Sequence, residues 1–275
     1  MSRPAQILTW LPLARTLAGQ IVADAKRPLY VAISGAQGTG KTTLARVLTD
    51  ELVSMDVRAV ACSLDDFYLD RASRMAFAQS VHPLLRTRGV PGTHDVELCL
   101  RVLDDVVRQP TPMPMFDKGH DDRIEARRWP IIGPVDVVVI EGWCLGARPQ
   151  PATALIEPVN ALERDEDTDG RWRAFVNAAL AGRYRTLFER IDKLIYLQVP
   201  DFAAVRRWRA EQEQQIAPTL RMDETQLHRF TAHYERLTCW MKEHMPAEAD
   251  VTVVLDDAHG IEAVVPRLAE GRSSR

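Results

Sequence analysis

Residues 35–42 read GAQGTGKT, three glycines spaced ahead of a lysine and a hydroxyl. This is the pattern G-x-x-x-x-G-K-[ST], whose chemistry is phosphate recognition. Glycines let the backbone close around an anion, and loop N–H groups with a helix N-terminus present positive potential to it. Lys41 is then placed for the β- and γ-phosphates of a nucleoside triphosphate, and the Thr42 hydroxyl for Mg²⁺. The expected nucleotide-binding set is Gly35, Ala36, Gln37, Gly38, Thr39, Gly40, Lys41, Thr42 and Thr43. The flanks separate this reading from a glycine-rich turn that binds nothing. Residues 29–34 (LYVAIS) read as a buried parallel strand, and Leu44, Val47, Leu48, Leu52 and Met55 recur at helical spacing from a start near Lys41.

Carboxylates stand where such a loop needs partners. Residues 64–68 (LDDFY) follow a second predicted strand and put Asp65 and Asp66 at the sheet rim. Consecutive extended residues point oppositely, so one of the two faces the cleft. Asp65 is the candidate to orient an acceptor hydroxyl and take its proton; a helix cap or turn is the alternative. A third strand ends Ile140-Glu141-Gly142, which sets Glu141 beside the loop. Thr42, Glu141 and Asp65 are the candidate Mg²⁺ contacts, although a strand-end glutamate also serves as an ion-pair partner.

The elements that must carry these residues alternate between strand and helix, the signature of parallel βαβ units. Strands are predicted at 29–34, 57–63, 135–141, 194–199 and 251–255, and helices at 95–108, 201–214 and 224–244. The expected fold is α/β, a doubly wound, mostly parallel sheet flanked by helices, in one domain over residues 1–275. Residues 1–28 form a helical extension in which Leu13, Leu17, Ile21 and Val22 share a packing face. Residues 109–134, rich in Pro, Gly and charge, make a connection long enough to suggest function. An insertion over 147–190 contains the acidic run 163–169, expected on a solvated surface. Residues 201–223 are the expected lid.

The chain has 275 residues, 35 basic and 38 acidic, for a formal net charge of −3. No global field favours nucleic acid or an anionic membrane. Four scattered cysteines (62, 99, 144 and 239) form no C-x-x-C pair and read as reduced thiols of a cytoplasmic protein. Pro12 and Arg15 break the only apolar stretch near the start, which argues against a secretory leader, and no run approaches the roughly eighteen apolar residues of a membrane span.

The ordered set GAQGTGKT, LDDFY, RGVPGTHD, PMFDKGHDDR, VVVIEGWCLG and VRRWRAEQ, spread over residues 31–240, resembles the plant-type D-glycerate 3-kinases and their microbial relatives. These belong to the P-loop group of uridine kinase, pantothenate kinase and phosphoribulokinase. The resemblance implies a P-loop kinase with a helical lid that uses ATP and Mg²⁺ to phosphorylate a small hydroxy acid. It further implies Asp65 as general base and Arg88, His94, Asp117, Lys118 and Arg123 as acceptor-side residues. Arg207 would be the lid arginine directed at the phosphates. On the resemblance, Arg123 would pair with an acceptor carboxylate, for which a guanidinium fork is apt, and Asp117 would accept from a hydroxyl. The alternatives are a kinase for pantothenate, a nucleoside or another sugar-like alcohol, and an ATP-binding regulatory protein without an acceptor. A GTPase switch lacks its guanine-reading N-K-x-D, since LQVPD follows the fourth strand.

Overall fold

The computed structural model describes residues 3–214 and 221–267. Helix α1 (Arg3–Ala23) precedes β1 (Leu29–Gly35), α2 (Lys41–Ser54), β2 (Ala59–Ser63), α3 (Arg71–Ser80) and α4 (Val96–Val106). Four two-residue strands follow: β3 (Thr111–Pro112), β4 (Phe116–Asp117), β5 (Asp122–Arg123) and β6 (Ile131–Ile132). Then come β7 (Val137–Gly142), α5 (Ala161–Glu166), α6 (Arg171–Ala179), α7 (Arg185–Phe188) and β8 (Lys193–Gln198). Helices α8 (Phe202–Gln214) and α9 (Glu224–Glu248) lead into β9 (Val251–Leu255) and β10 (Ile261–Pro266).

The main sheet has the order β10-β9-β8-β1-β7-β2, parallel except for β10. Its central strand β1 pairs with β7 on one side and β8 on the other, so the chain leaves β1 where the connections diverge to opposite edges. That switch point is where open α/β sheets gather ligands. Both faces are covered, and strand periodicity divides the core. Val31, Ile33, Val137, Val139, Ile195 and Leu197 pack toward α1, α2 and α8. Tyr30, Ala32, Val138, Ile140, Leu194 and Tyr196 pack toward α4 and α9.

The five predicted parallel strands are all present, within two residues of the expected ends. The sixth strand, β10, and the small hairpins inside 109–134 carry too little periodicity to be read from sequence. In α1, Leu13, Leu17 and Ile21 are buried as expected, whereas Val22 is exposed on the other side of the turn. Cys62, Cys99 and Cys144 are buried and Cys239 exposed, all as free thiols. No helix among the described residues is long and apolar enough to cross a membrane. The 215–220 part of the expected lid, with Ile216 and Pro218, lies outside the described residues.

The acidic run corrects the sequence reading. Glu163 and Asp167 are 0% and 1% exposed. Arg236 of α9 donates to both Glu163 oxygens, at 2.7 and 2.6 Å. Asp167 accepts from the Trp172 and Arg173 backbone N–H groups and from the Arg173 guanidinium at 2.9 Å. A charge count along the chain cannot see the two arginines, which arrive from α6 and α9 and turn two of the run's five carboxylates into core.

Candidate active site

The loop between β1 and α2 has the backbone its sequence demands. Gly38 and Gly40 take φ of +84° and +88°, a region that disfavours a side chain. A Cβ on Gly38 would stand 2.7 Å from the Trp208 Cβ, and one on Gly40 2.9 Å from the Trp10 indole nitrogen. Two buried tryptophans, from α1 and α8, therefore bracket the loop. Thr39 Oγ1 and Lys41 Nζ donate to the Ala36 carbonyl at 2.8 and 3.0 Å. Burial pushes the Lys41 pKa down, partly offset by Glu141 and Asp65, whose carboxylates lie close enough to act on its charge. The first N–H groups of α2 have no acceptor within the helix.

At the end of β7, Glu141 is 6% exposed and its Oε1 accepts from Thr42 Oγ1 at 2.9 Å. A hydroxyl and a carboxylate in contact beside the loop form an all-oxygen set, the donor chemistry Mg²⁺ takes. After β2 a single 3₁₀ turn, Leu64–Phe67, aims the two aspartates apart. Asp65 Oδ1 accepts from the Tyr68 hydroxyl at 2.8 Å and Oδ2 from Lys118 Nζ at 2.6 Å. Burial alone would raise the Asp65 pKa; the Lys118 charge and hydrogen bond with that of Tyr68 outweigh it and hold the carboxyl below its ordinary value. Asp66 instead caps the Phe116 N–H at 3.2 Å, and burial pushes it up to about 6.

The loop over 109–134 folds back onto this turn, bringing together several acceptor-side candidates in altered roles. Lys118 is half exposed and touches Asp65. Arg88 pairs with Asp121 and donates to the Lys118 carbonyl at 3.3 Å. Asp117 turns outward and caps its own hairpin, accepting from Gly119 N–H at 2.8 Å and from His120. Arg123 donates to the Tyr68 carbonyl at 2.7 and 3.2 Å and to Asp95 at 3.3 Å. Its fork is therefore engaged within the protein and links the β4–β5 hairpin to the start of α4, where Asp95 also caps Leu98 N–H. His94 is 6% exposed, stacked on Tyr68 with ring centroids 4.5 Å apart, and its Nδ1 lies 2.6 Å from the Tyr184 hydroxyl.

Arg207 is not brought to this cluster. It pairs with Asp257 in the β9–β10 turn and is 50% exposed. Helical geometry at about 100° per residue sends Arg209 the other way. There it is 16% exposed, pairs with Glu213 at 2.7 Å and lies over the Phe230 ring. Sequence reasoning also missed Tyr184 and Tyr234. The Tyr234 hydroxyl donates to the Arg88 carbonyl at 3.0 Å and fills the space a side chain on Gly89 would need, φ +127°. Neither tyrosine lies in a motif; only the three-dimensional packing reveals them. A separate cavity of about 710 Å³, lined by Leu180, Phe188, Ile191 and Leu194 among others, shares no residue with the loop or the Asp65 cluster.

Comparison with known proteins agrees with this geometry. No family model matches the chain. It is 34% identical over 221 residues to the uncharacterized kinase mug58 of Schizosaccharomyces pombe, covering 76% of this chain and 79% of that one. It is 32% identical over 199 residues to the chloroplastic D-glycerate 3-kinase of Arabidopsis thaliana, covering 68% of this chain but 41% of the plant protein. The solved D-glycerate 3-kinase of Cryptococcus neoformans superposes with a TM-score of 0.73 at 26% identity, over 97% of this chain and 100% of that one. A nucleotide loop at the sheet's switch point, an acidic rim and these relatives converge: the chain is a kinase and belongs to the P-loop kinase family that includes D-glycerate 3-kinase.

Proposed function

We propose that this kinase transfers the γ-phosphoryl group of ATP to a hydroxyl of a small hydroxy acid, and that the acid is D-glycerate. The observation that carries the reading is Asp65, held between the Tyr68 hydroxyl and the Lys118 ammonium within electrostatic range of Lys41. A carboxylate so placed orients an acceptor hydroxyl and takes its proton as the phosphoryl group arrives. Lys41 exchanges the Ala36 carbonyl for the β- and γ-phosphate oxygens, and the N–H groups of loop and helix hold the same charge. Thr42 and Glu141 would hold Mg²⁺, which neutralises charge on the triphosphate.

Recognition of an acid requires a cation that can change partners. Arg123 is engaged by Tyr68 and Asp95, and Arg88 by Asp121. Lys118 has one carboxylate partner, Asp65, and an exposed stem. On this reading Lys118 turns to the acceptor's carboxylate, and its departure lifts the restraint that keeps the Asp65 pKa low, making Asp65 a better base as the acceptor binds. The test is ATP consumption with Mg²⁺ against a panel of D-glycerate, L-glycerate, pantothenate, nucleosides and sugar alcohols, with the product identified by ³¹P NMR. D-glycerate is expected to yield a phosphomonoester. Turnover with neutral alcohols alone would remove the carboxylate idea, and no turnover with any member would remove the proposed reaction.

A further inference from the structure

Tyr184 lies two residues past a kink at Gly182, which leaves helical geometry with φ −97° and ψ −118° between α6 and α7. The Tyr184 side chain is 2% exposed and its hydroxyl meets two groups. It accepts from the Gly92 N–H at 3.0 Å and lies 2.6 Å from His94 Nδ1. Burial raises the phenol's pKa well above its ordinary value, so it keeps its proton.

That proton has one destination. With Gly92 N–H already donating to the oxygen, a proton on His94 Nδ1 would make the hydroxyl accept twice and leave its own hydrogen buried without an acceptor, an arrangement buried polar groups avoid. The phenol therefore donates to Nδ1, and the imidazole proton sits on Nε2. Burial also pushes the His94 pKa down to about 4, so the ring is neutral. Nε2 makes no hydrogen bond among the described residues. The residue keeps 6% of its surface exposed. The ring is stacked on Tyr68, whose hydroxyl holds Asp65, and stands within electrostatic reach of that carboxylate.

We infer that Tyr184 is a positioning residue that fixes His94 with its proton on Nε2, so that a neutral N–H donor faces the acceptor beside Asp65. The inference rests on the kinase reading above for the identity of that neighbour. It adds a selection rule: the position facing His94 takes an acceptor oxygen, a hydroxyl or carboxylate lone pair, and disfavours an amine.

The tautomer is readable without any substrate. Two-bond ¹H–¹⁵N spectra of the histidine-labelled protein, with the His94 signals assigned from His94→Gln, are expected to show a protonated Nε2 and an unprotonated Nδ1. Tyr184→Phe should populate both tautomers and raise KM for the acceptor about tenfold, the effect of losing one ordinary hydrogen bond. KM for ATP should stay within about twofold of wild type, as expected for a site on the acceptor side. His94→Leu removes the donor and should raise acceptor KM at least as much as Tyr184→Phe; His94→Gln, which keeps an N–H, should raise it less than His94→Leu does. A protonated Nδ1 in the wild type, or an unchanged acceptor KM in His94→Leu, would overturn the inference. Should Tyr184→Phe fail to fold, the wild-type spectrum and the two His94 variants still decide. If the panel yields no acceptor, the functional reading fails while the spectrum still tests the tautomer.

Discussion

Two ion pairs of this molecule share a length and little else. Lys118 meets Asp65 at 2.6 Å with side chains 59% and 29% exposed; Arg236 meets Glu163 at 2.6 Å with side chains 10% and 0% exposed. Distance does not distinguish these two pairs; access does. The Arg236 guanidinium also donates to the carbonyls of Ala154 and Glu157, so every neighbour fixes it. Lys118 has water on most of its length and a single carboxylate, and a ligand can replace that partner at small cost. An exposed pair is worth little to the fold, whereas removing one member of a buried pair leaves an uncompensated charge.

Breaking the buried pair should give the largest effect. Arg236→Met is expected to lower unfolding stability by about 3–5 kcal/mol, seen in urea titration, while turnover per folded molecule stays near wild type. A loss of turnover at unchanged stability would move that pair into the catalytic machinery. In the cleft the pattern reverses. Lys41→Ala should lower kcat by roughly 10²–10³, the effect of losing one preorganised donor, with a far-ultraviolet spectrum like wild type. Asp65→Asn should cut kcat by about 10² or more with little change in KM for ATP, because the carboxylate acts on the acceptor. Equal kcat in Asp65→Asn and wild type would remove it as base.

Asp66 gives a smaller, pH-dependent contrast. Its carboxyl is raised by burial from 3.8 to about 6, so the folded state binds a proton that the unfolded state has released. Its contribution to stability is therefore full below 3.8 and is lost as pH rises through about 6. Wild-type Tm should fall more steeply across that window than Tm of Asp66→Asn, by roughly 2–4 °C for each kcal/mol. Parallel profiles would refute the assignment. The smallest effect belongs to Arg207→Ala, where an exposed pair with Asp257 is worth at most about 1 kcal/mol and kcat should stay within about twofold. A large loss of kcat would support the lid role expected from sequence.

The sheet and the phosphate loop are legible in the sequence because each is written in contiguous residues. Strand runs such as VVVI at 137–140 are apolar throughout because both faces are covered, and the loop acts through its backbone, which glycine spacing reports directly. The acceptor side is assembled from side chains of separate segments, so its candidates can be picked out along the chain but their pairings cannot. Arg123 reads as a free fork because Asp95 lies 28 residues away in sequence and the Tyr68 carbonyl 55. Glu163 and Asp167 read as solvated for the same reason. Tyr184 has no local signal, since its place depends on a kink at Gly182 and on contacts with Gly92 and His94, far away in sequence.

The tryptophans on either side of the phosphate loop give the molecule an optical property. Trp10 and Trp208 lie against the loop's glycines, and Trp208 is also stacked on His259 at 4.3 Å. Indole emission depends on its immediate surroundings, and these two of the chain's six tryptophans have surroundings set by the loop. Filling the loop with a triphosphate should thus alter the protein's own fluorescence, giving a label-free signal for nucleotide binding before any acceptor is known.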